Sequence, residues 1–219
     1  MQILDLFSGL GGWNEAFKER GHKVYTLDIN PIFEADFICD IRDFHENLNI
    51  DVILASPPCN KLSLLQKRVH WDEDLKPRTE EAIESMRIIE ETLRVIEELN
   101  PKYFIIENPV GVLRKLPILS HLERRYITYC QYGFPFMKPT DLWGGFPETL
   151  ILRPPCKKGD NCHLRAKRGL AEHKKLYREV FKETYNDRLA WARAKVPYQL
   201  SLEVCLATER AINEGSRTI

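Results

Sequence analysis

The sequence has no apolar run long enough to cross a membrane, no internal repeat and no low-complexity tract. Its N-terminus lacks the basic stretch, the apolar core and the small-residue cleavage site of a secretory signal. The six cysteines follow none of the repeating frameworks that small disulfide-rich domains use. These absences exclude membrane-spanning, repeat and disulfide-scaffold proteins. We expect a monomeric, cytoplasmic protein with reduced thiols and no membrane partner.

What the sequence does have is enough apolar side chains for one sizeable core, at 43% of 219 residues. Its net charge is zero, but the charge is unevenly distributed. Residues 1–152 carry 17 basic against 24 acidic side chains, whereas residues 153–195 carry 13 against 5. A short basic segment attached to an acidic body is typical of a surface that contacts nucleic-acid phosphates, although a solvated charged helix would have the same composition.

Apolar strands alternate with helical segments along the first half of the chain. An amphipathic helix is predicted where apolar residues recur three and four apart, at 79–99. Strands are predicted at 2–7, 22–28, 37–40, 51–55 and 103–107. This alternation predicts an α/β fold of the Rossmann-like type, a mostly parallel sheet with helices on both faces. In such a sheet the ligands bind beyond the carboxyl ends of the strands.

A glycine-rich turn, Ser8-Gly-Leu-Gly-Gly12, follows the first predicted strand. It lets the backbone approach a ligand closely but lacks the pattern of a phosphate-binding loop. Asp28, which ends the second strand, is placed to accept hydrogen bonds from ribose hydroxyls, or it caps a turn. Asp40, after the third strand, could accept from an adenine amino group or could start a turn. Together these sites indicate an adenosine pocket without a diphosphate grip, which favours S-adenosylmethionine over a dinucleotide.

Two reactive side chains follow the next two predicted strands. Cys59 ends the rigid turn Ser56-Pro-Pro-Cys59, and Glu107 opens Glu107-Asn-Pro109. A lone cysteine is most often inert packing. A thiolate beside a carboxyl group that can donate a proton to a ring nitrogen, however, is suited to alkylating an unreactive aromatic carbon. We therefore predict that Cys59 is a nucleophile and that Glu107 shares its pocket.

Four segments in this order resemble motifs I, IV, VI and VIII of the C5-cytosine DNA methyltransferases. They are Asp5-Leu-Phe-Ser-Gly-Leu-Gly-Gly-Trp13, Ser56-Pro-Pro-Cys59, Glu107-Asn-Pro109 and Tyr132-Gly-Phe-Pro135. The resemblance covers residues 1–143, and Lys195-Val-Pro197 resembles the family's closing motif X. It implies an S-adenosylmethionine-dependent methyltransferase fold and transfer of a methyl group to C5 of cytosine in DNA.

The resemblance also implies roles for individual residues. Cys59 would attack C6 of cytosine, and Glu107 would contact N3 and the exocyclic amine. The residues that would border S-adenosylmethionine are Phe7, Gly9, Leu10, Gly11, Gly12, Trp13, Asp28, Ile29, Asp40, Ile41 and Pro57. The target base would have to leave the duplex to reach this pocket, and residues 60–77 would close over it.

The sequence departs from the family after Pro135. Motif VIII normally continues there with a glutamine and two alternating arginines, where this chain has Phe136, Lys138 and Thr140. Lys138 is the candidate to replace one arginine in catalysis, although lysine lacks the bidentate geometry of arginine. Motif IX is not recognisable. Three alternatives stay open: cytosine methylation of RNA, N4-cytosine methylation of DNA, which needs no thiol, and a catalytically silent protein that binds nucleic acid or cofactor.

We divide the chain into an S-adenosylmethionine-binding catalytic domain at 1–150, a small basic target-recognition segment at 151–192 and a C-terminal helix at 193–219 that returns to the catalytic domain. Within this basic segment lie zinc-type ligands at Cys156, Cys162 and His163, with Cys130 or His173 as a possible fourth. The spacing matches no standard zinc knuckle, so an unliganded cluster in a basic loop is the alternative. The predicted partner is DNA, with RNA as its alternative.

Overall fold

A computed structural model describes residues 1–157, 159–164, 172, 175–176, 178–181 and 193–215. The strands of its sheet are β1 (Gln2–Leu6), β2 (Lys23–Leu27), β3 (Val52–Ala55), β4 (Tyr103–Pro109), β5 (Glu123–Thr128) and β6 (Pro139–Gly145). The helices that position the site are α1 (Glu15–Glu19), α2 (Lys67–His70), α3 (Glu80–Leu99) and α4 (Tyr198–Gly215). Short 3-10 turns lie between several of these elements.

The strands form one sheet in the order β2-β1-β3-β4-β6-β5. The first four are parallel, and β6 runs antiparallel to both of its neighbours. The register pairs Leu6 with Ala55 and Ala55 with Ile106, so β1, β3 and β4 reach the same edge together. The segments that follow these strands therefore start side by side.

Alternate residues of the central strands face opposite sides of the sheet, and both sides are buried. Ile3 packs in the core that contains α1 and α4, whereas Leu4 packs in the core that contains α3. Strands buried on both faces have continuous apolar runs, as β1 and β3 do. The prediction of a Rossmann-like α/β fold with helices on both faces is confirmed.

The prediction of a third strand at 37–40 is wrong. Phe37 forms only an isolated bridge with Leu27. Asp40 instead caps a 3-10 turn, Ile41–Asp43, because its side chain accepts a hydrogen bond from the backbone N–H of Arg42. A short acidic side chain that satisfies a nearby backbone donor turns the chain before a strand can lengthen.

The long helix α3 begins and ends as its sequence predicts. The Thr79 hydroxyl accepts a hydrogen bond from the Ala82 N–H, and Asn100 ends the helix in the left-handed conformation. Arg94 fixes α3 to the preceding turn by donating to the carbonyls of Ile41 and Phe44, at 3.0 and 3.1 Å.

Helix α4 packs against α1, near the start of the chain. The Ser201 hydroxyl donates to the Trp13 carbonyl, and Arg20 pairs with Glu209 at 2.7 Å. Among the described residues no helix is both long and apolar enough to span a membrane. The basic segment is described only in part, and the division of the chain at residues 150 and 192 stays a prediction.

We predict that Gly144→Ala destabilises the protein by about 3 kcal/mol. A Cβ at Gly144 would lie 2.0 Å from the carbonyl oxygen of Phe104 in the paired strand β4, so the ladder would have to shift. Gly145→Ala is the matched control, because its Cβ would meet the Phe104 ring at 3.4 Å. Urea denaturation should show a large decrease in the free energy of unfolding for Gly144→Ala and a decrease of less than about 1 kcal/mol for Gly145→Ala. Equal losses would contradict the close approach of β4 and β6.

Candidate active site

The loop that carries Cys59 is held from two sides. Trp13 Nε1 donates to the Ser56 hydroxyl at 2.9 Å, and Asn108 Nδ2 donates to the Pro57 carbonyl at 3.0 Å. The two prolines of this loop, Pro57 and Pro58, restrict the backbone between Ser56 and Cys59. The thiol of Cys59 is thus fixed at the carboxyl end of β3, next to the carboxyl end of β4.

Glu107 is a buried carboxylate on β4, with 3% of its surface exposed. The Tyr129 hydroxyl donates to its Oε1 at 2.7 Å. The Lys138 ammonium lies 3.9 Å from the same oxygen and 4.2 Å above the Tyr129 ring. Because a buried carboxylate is costly without such partners, this cluster compensates part of the cost of its burial.

The antiparallel pair β5 and β6 supplies both partners of Glu107. Thr128 pairs with Pro139, and the Tyr129 N–H donates to the Lys138 carbonyl at 3.2 Å. Lys138 adopts a positive φ of 27°, which turns the chain into β6. Lys138 therefore reaches Glu107 from a strained turn just before β6.

The charges of this cluster act on Cys59. Burial raises the pKa of the Cys59 thiol, the charge of Glu107 raises it further, and Lys138 lowers it. Burial lowers the pKa of Lys138, which Glu107 and Cys59 oppose. Burial and Glu107 raise the pKa of Tyr129 well above its usual value, so its hydroxyl stays protonated and remains a donor.

Of the three residues that replace the motif VIII side chains, only Lys138 contacts Glu107. Phe136 is buried and packs near Phe134 in the core with α4. Thr140 is fully buried, and its hydroxyl donates to the Lys138 carbonyl at 3.2 Å. Lys138 is thus the one of the three with a charge inside the candidate active site.

The glycine turn after β1 requires backbone conformations that glycine adopts easily. Gly9 and Gly11 have φ values of 47° and 70°, and Phe7 has a positive φ of 61°. Asp28 fixes the turn to the end of β2, because its two oxygens accept from the N–H groups of Gly9 and Asn30, each at 2.9 Å. Asp28 therefore lies beside the glycine turn and caps the turn after β2, which is the alternative role that the sequence offered, and its contact with ribose stays a prediction.

A cleft of about 510 Å³ opens beside the glycine turn. Three of the predicted cofactor residues line it, namely Gly9, Leu10 and Gly11. The other lining residues are Ser8, Asn14, Glu15, Lys18, Glu19, Thr26, Ile32, Phe33, Glu34 and Lys195. Apart from Ser8 in the glycine turn and Lys195 in the motif X resemblance, no sequence pattern predicted these residues as part of a cleft. They come together because α1 and the turn after β2 fold over the same edge.

Residues 195–196 pack directly on the glycine turn. A Cβ at Gly12 would lie 2.6 Å from the backbone nitrogen of Val196. Lys195 pairs with Glu15 on α1 at 2.9 Å. The structure thus brings the segment that resembles motif X against the segment that resembles motif I.

The remaining predicted cofactor residues differ in their surroundings. Ile29 is 64% exposed, directly after Asp28. Ile41 is buried in the core with α3, so only its backbone could border a ligand. Arg42 donates to both carboxylate oxygens of Asp40 and lowers the pKa of that group. Any contact of Asp40 with adenine would have to be shared with Arg42.

The structure also brings the three zinc-type ligands of the basic segment together with Cys130. The ligand atoms of Cys130, Cys156, Cys162 and His163 all lie within 4.8 Å of one another. Burial and the two neighbouring thiols raise the pKa of Cys156 to about 12. His173, the other candidate for a fourth ligand, lies outside the described residues.

The sequence model of the C-5 cytosine-specific DNA methylase family matches residues 1–116, a range that includes the glycine turn, Cys59 and Glu107. The chain belongs to this family. The match ends before Tyr129 and Lys138, so the part of the methylase that supplies the partners of Glu107 lies beyond it.

Individual relatives agree with this membership. The chain is 29% identical over 170 residues to a probable DNA (cytosine-5)-methyltransferase of Frog virus 3. This match covers 71% of this chain and 78% of the viral protein. The chain is 29% identical over 134 residues to the type II methyltransferase M.AquIA of Picosynechococcus, covering 51% and 50%, respectively. It is 26% identical over 136 residues to M.DdeI of Desulfomicrobium norvegicum, covering 52% and 29%. The chain thus spans half or less of these two bacterial relatives.

The similarity to solved structures shows the fold of the chain. A methyltransferase of Entamoeba histolytica superposes with a TM-score of 0.51 at 14% sequence identity, over 73% of this chain and 57% of that one. At this identity the similarity shows that the two chains have a common fold.

Asp5, at the start of the glycine-turn motif, should make stability depend on pH. Burial raises its pKa from 3.8 to about 7, and its Oδ1 has no hydrogen-bond partner in the described structure. The carboxyl group of Asp5 therefore binds its proton more tightly in the folded protein than in the unfolded chain. The contribution of Asp5 to the free energy of unfolding declines as pH rises from about 4 to about 7.

Asp5→Asn should remove this decline. The amide keeps an oxygen that can accept from Asn14 Nδ2, as the carboxylate does at 2.7 Å, and it does not ionise. Urea denaturation between about pH 4 and pH 8 measures the free energy of unfolding of both proteins. The value for the variant should increase relative to the wild type as pH rises, by up to roughly 4 kcal/mol. Parallel stability curves for the two proteins would contradict the raised pKa.

Proposed function

We propose that this chain transfers a methyl group from S-adenosylmethionine to C5 of cytosine in DNA, through a covalent intermediate on Cys59. The observation that carries this proposal is the position of Cys59 beside Glu107, with Tyr129 and Lys138 on the same carboxylate oxygen. A nucleophile, a carboxyl group and a cation at one sheet edge are the groups that activation of a cytosine ring needs.

The chemistry can be assigned to these atoms. The Cys59 thiolate forms a bond to C6, and the ring electrons shift so that C5 becomes nucleophilic. Glu107 contacts N3 and the exocyclic amine, which stabilises that charge distribution. Since Tyr129 and Lys138 both address Oε1, we assign Oε2 to the base. After methylation, loss of the C5 proton to a base and breakage of the bond between sulfur and C6 restore the aromatic ring and the thiolate.

The residues after β1 and β2 fit S-adenosylmethionine. The glycine turn exposes backbone beside the cleft, and Ile29 presents an exposed apolar side chain at the end of β2. Each Asp28 oxygen already accepts one backbone N–H, from Gly9 or Asn30, and keeps a second lone pair for a ribose hydroxyl. These are a ribose acceptor and a stacking surface. When bound, the cofactor supplies an electrophilic methyl group. Phe7, Gly12, Trp13, Asp40, Ile41 and Pro57 complete the proposed binding set.

The choice of DNA is supported by the family and by the names of the relatives. Trp13 and Asn108 hold the loop of Cys59 at the sheet edge through Ser56 and Pro57, and enzymes that modify a base take it out of the duplex, so we expect the target cytosine to flip out. The loop that we expect to close over it is docked on the chain after β4, where the Val112 N–H donates to the Leu62 carbonyl at 2.7 Å. Its indole at Trp71 is buried and donates to the Lys61 carbonyl.

The test is transfer of labelled methyl from S-adenosylmethionine to duplex DNA, single-stranded DNA and RNA, with nucleoside analysis of each product. We expect 5-methylcytosine in DNA. Label found only in RNA would show that RNA, not DNA, is the substrate. N4-methylcytosine as the product would show that the methyl group goes to the exocyclic amine and not to C5. Absence of transfer with intact cofactor binding would identify a silent binding protein.

Cys59→Ala should abolish methyl transfer and leave cofactor binding intact. With DNA that contains 5-fluorocytosine, the wild type should form a covalent complex, because the fluorine cannot leave in the elimination step. Denaturing electrophoresis would detect this complex, and the variant should form none. Cys39→Ser, which changes a thiol that is not part of the proposed reaction, should still be trapped. A trapped Cys59→Ala protein would contradict the covalent mechanism.

Lys138→Met should raise the pKa of Cys59, because it removes the cation that stabilises the thiolate. Peptide mass spectrometry measures the rate at which iodoacetamide alkylates Cys59 as a function of pH. The midpoint of this rate profile should lie about 1 pH unit higher in the variant than in the wild type. Lys138→Arg is the matched variant, and it should stay closer to the wild type because it keeps the charge. Identical pH profiles for all three proteins would contradict the effect of the Lys138 charge on the pKa of Cys59.

A further inference from the structure

Three sulfur atoms and one imidazole nitrogen converge at the 3-10 turn that follows β5. The Cys162 sulfur lies 3.3 Å from that of Cys156 and 3.6 Å from that of Cys130. His163 Nδ1 lies 3.5 Å from the sulfurs of both Cys156 and Cys162. In these four side chains, which we call the Cys3His cluster, Cys130 joins three ligands that lie close together in the sequence, Cys156, Cys162 and His163.

We propose that the Cys3His cluster binds one Zn²⁺ ion as a closed structural site, with Cys130, Cys156, Cys162 and His163 Nδ1 as its four ligands. This site is separate from the methyl-transfer chemistry, so it does not depend on the proposed function. Zinc in structural sites is held by four cysteine or histidine ligands in a tetrahedron, and Cys3His is one of its usual ligand sets.

Four of the six ligand-to-ligand distances in the cluster are close to the edges of a zinc tetrahedron, and the other two are within 4.8 Å. Zinc–sulfur bonds of about 2.3 Å at the tetrahedral angle put two sulfurs roughly 3.8 Å apart. A zinc–nitrogen bond of about 2.05 Å puts nitrogen and sulfur roughly 3.6 Å apart. The observed sulfur separations of 3.3 and 3.6 Å and nitrogen–sulfur separations of 3.5 Å are slightly shorter than these edges. A small expansion accommodates the ion without rearranging the backbone.

A disulfide is the main competing use of these thiols. A bonded pair of sulfurs is about 2.05 Å apart, well below the 3.3 Å between Cys156 and Cys162. A disulfide would also leave Cys130 and His163 outside the bond, whereas one metal ion uses all four groups. The geometry therefore favours the metal.

Neighbouring groups hold the ligands in place, as is usual around structural zinc. The Cys156 N–H donates to the Thr128 hydroxyl at 2.8 Å. Gln131 Nε2 approaches the Cys162 sulfur at 3.5 Å, in the manner of an N–H donor to a thiolate. Gly133, with a φ of 83°, turns the chain out of the 3-10 helix that carries Cys130.

The site would fasten the start of the basic segment to the catalytic domain. Cys130 lies in the turn after β5, while Cys156, Cys162 and His163 belong to residues 151–164, whose described residues form neither helix nor strand. Cys130 also directly follows Tyr129, the hydrogen-bond partner of Glu107. Zinc would thus fix the segment next to the active site by coordination rather than by a core of its own.

The first experiment measures metal in the full chain, expressed without a histidine tag and purified under reducing conditions. Mass spectrometry of the elements should find one zinc per chain. After removal of zinc, added Co²⁺ should give the visible absorption of a tetrahedral site with thiolate charge transfer, and Zn²⁺ should displace it. A chain that holds neither metal, or Co²⁺ spectra without thiolate ligation, would overturn the proposal.

The second experiment assigns the ligands. Cys162 is exposed, so Cys162→Ser removes a ligand without opening the core, and circular dichroism should confirm that the variant is folded. Zinc affinity, measured by competition with a chelator, should fall more than the 10–100-fold that loss of an outer hydrogen bond typically costs. Cys39→Ser is the matched control and should retain one zinc per chain. Unchanged affinity of Cys162→Ser, or a Cys156–Cys162 disulfide in the native protein as purified, would overturn the site.

Discussion

The burial of the Glu107 carboxylate is the constraint on which the active-site half of the structure depends. A carboxylate at 3% exposure is tolerated only with strong partners, and here these are the Tyr129 hydroxyl and the Lys138 ammonium. Both partners come from the connection between β5 and β6, so these antiparallel strands must be registered correctly for Glu107 to be satisfied. The sheet order that places β6 next to β4 is therefore a requirement of the site as well as of the core.

The Cys59 loop shows how close backbone contacts replace flexible side chains at this edge. A Cβ at Gly111 would lie 2.1 Å from the Leu62 carbonyl oxygen, so the chain after β4 touches the loop after Cys59 directly. Asn108, the neighbour of Glu107, bonds to Pro57 on the other side of the thiol. The loop that carries Cys59 and the strand that carries Glu107 are thus held by one continuous set of contacts. A reaction that needs both groups in register gains from this preorganisation.

The sequence predicted the parallel half of the sheet and the residues at its edge, because strand periodicity and motifs such as Ser56-Pro-Pro-Cys59 are local signals. It failed at 37–40, where the Asp40 side chain satisfies a backbone donor and the strand ends. Tyr129 was missed as a partner of Glu107, since the contact spans 22 residues and depends on the β5–β6 register. For the same reason the sequence left Cys130 and His173 as equal candidates, and only the fold brought Cys130 to the other ligands.

The contact between Gly12 and Val196 has a consequence for how the chain folds. Residues 195–196 pack against the turn near the beginning of the chain, and the Trp13 carbonyl accepts its hydrogen bond from Ser201, 188 residues later. Such a long sequence separation is slow to close. During synthesis on the ribosome, the sheet edge can form earlier, but these contacts with the glycine turn form only after residues 195–201 have emerged. A nascent chain would therefore acquire its thiol loop before it acquires a complete cleft.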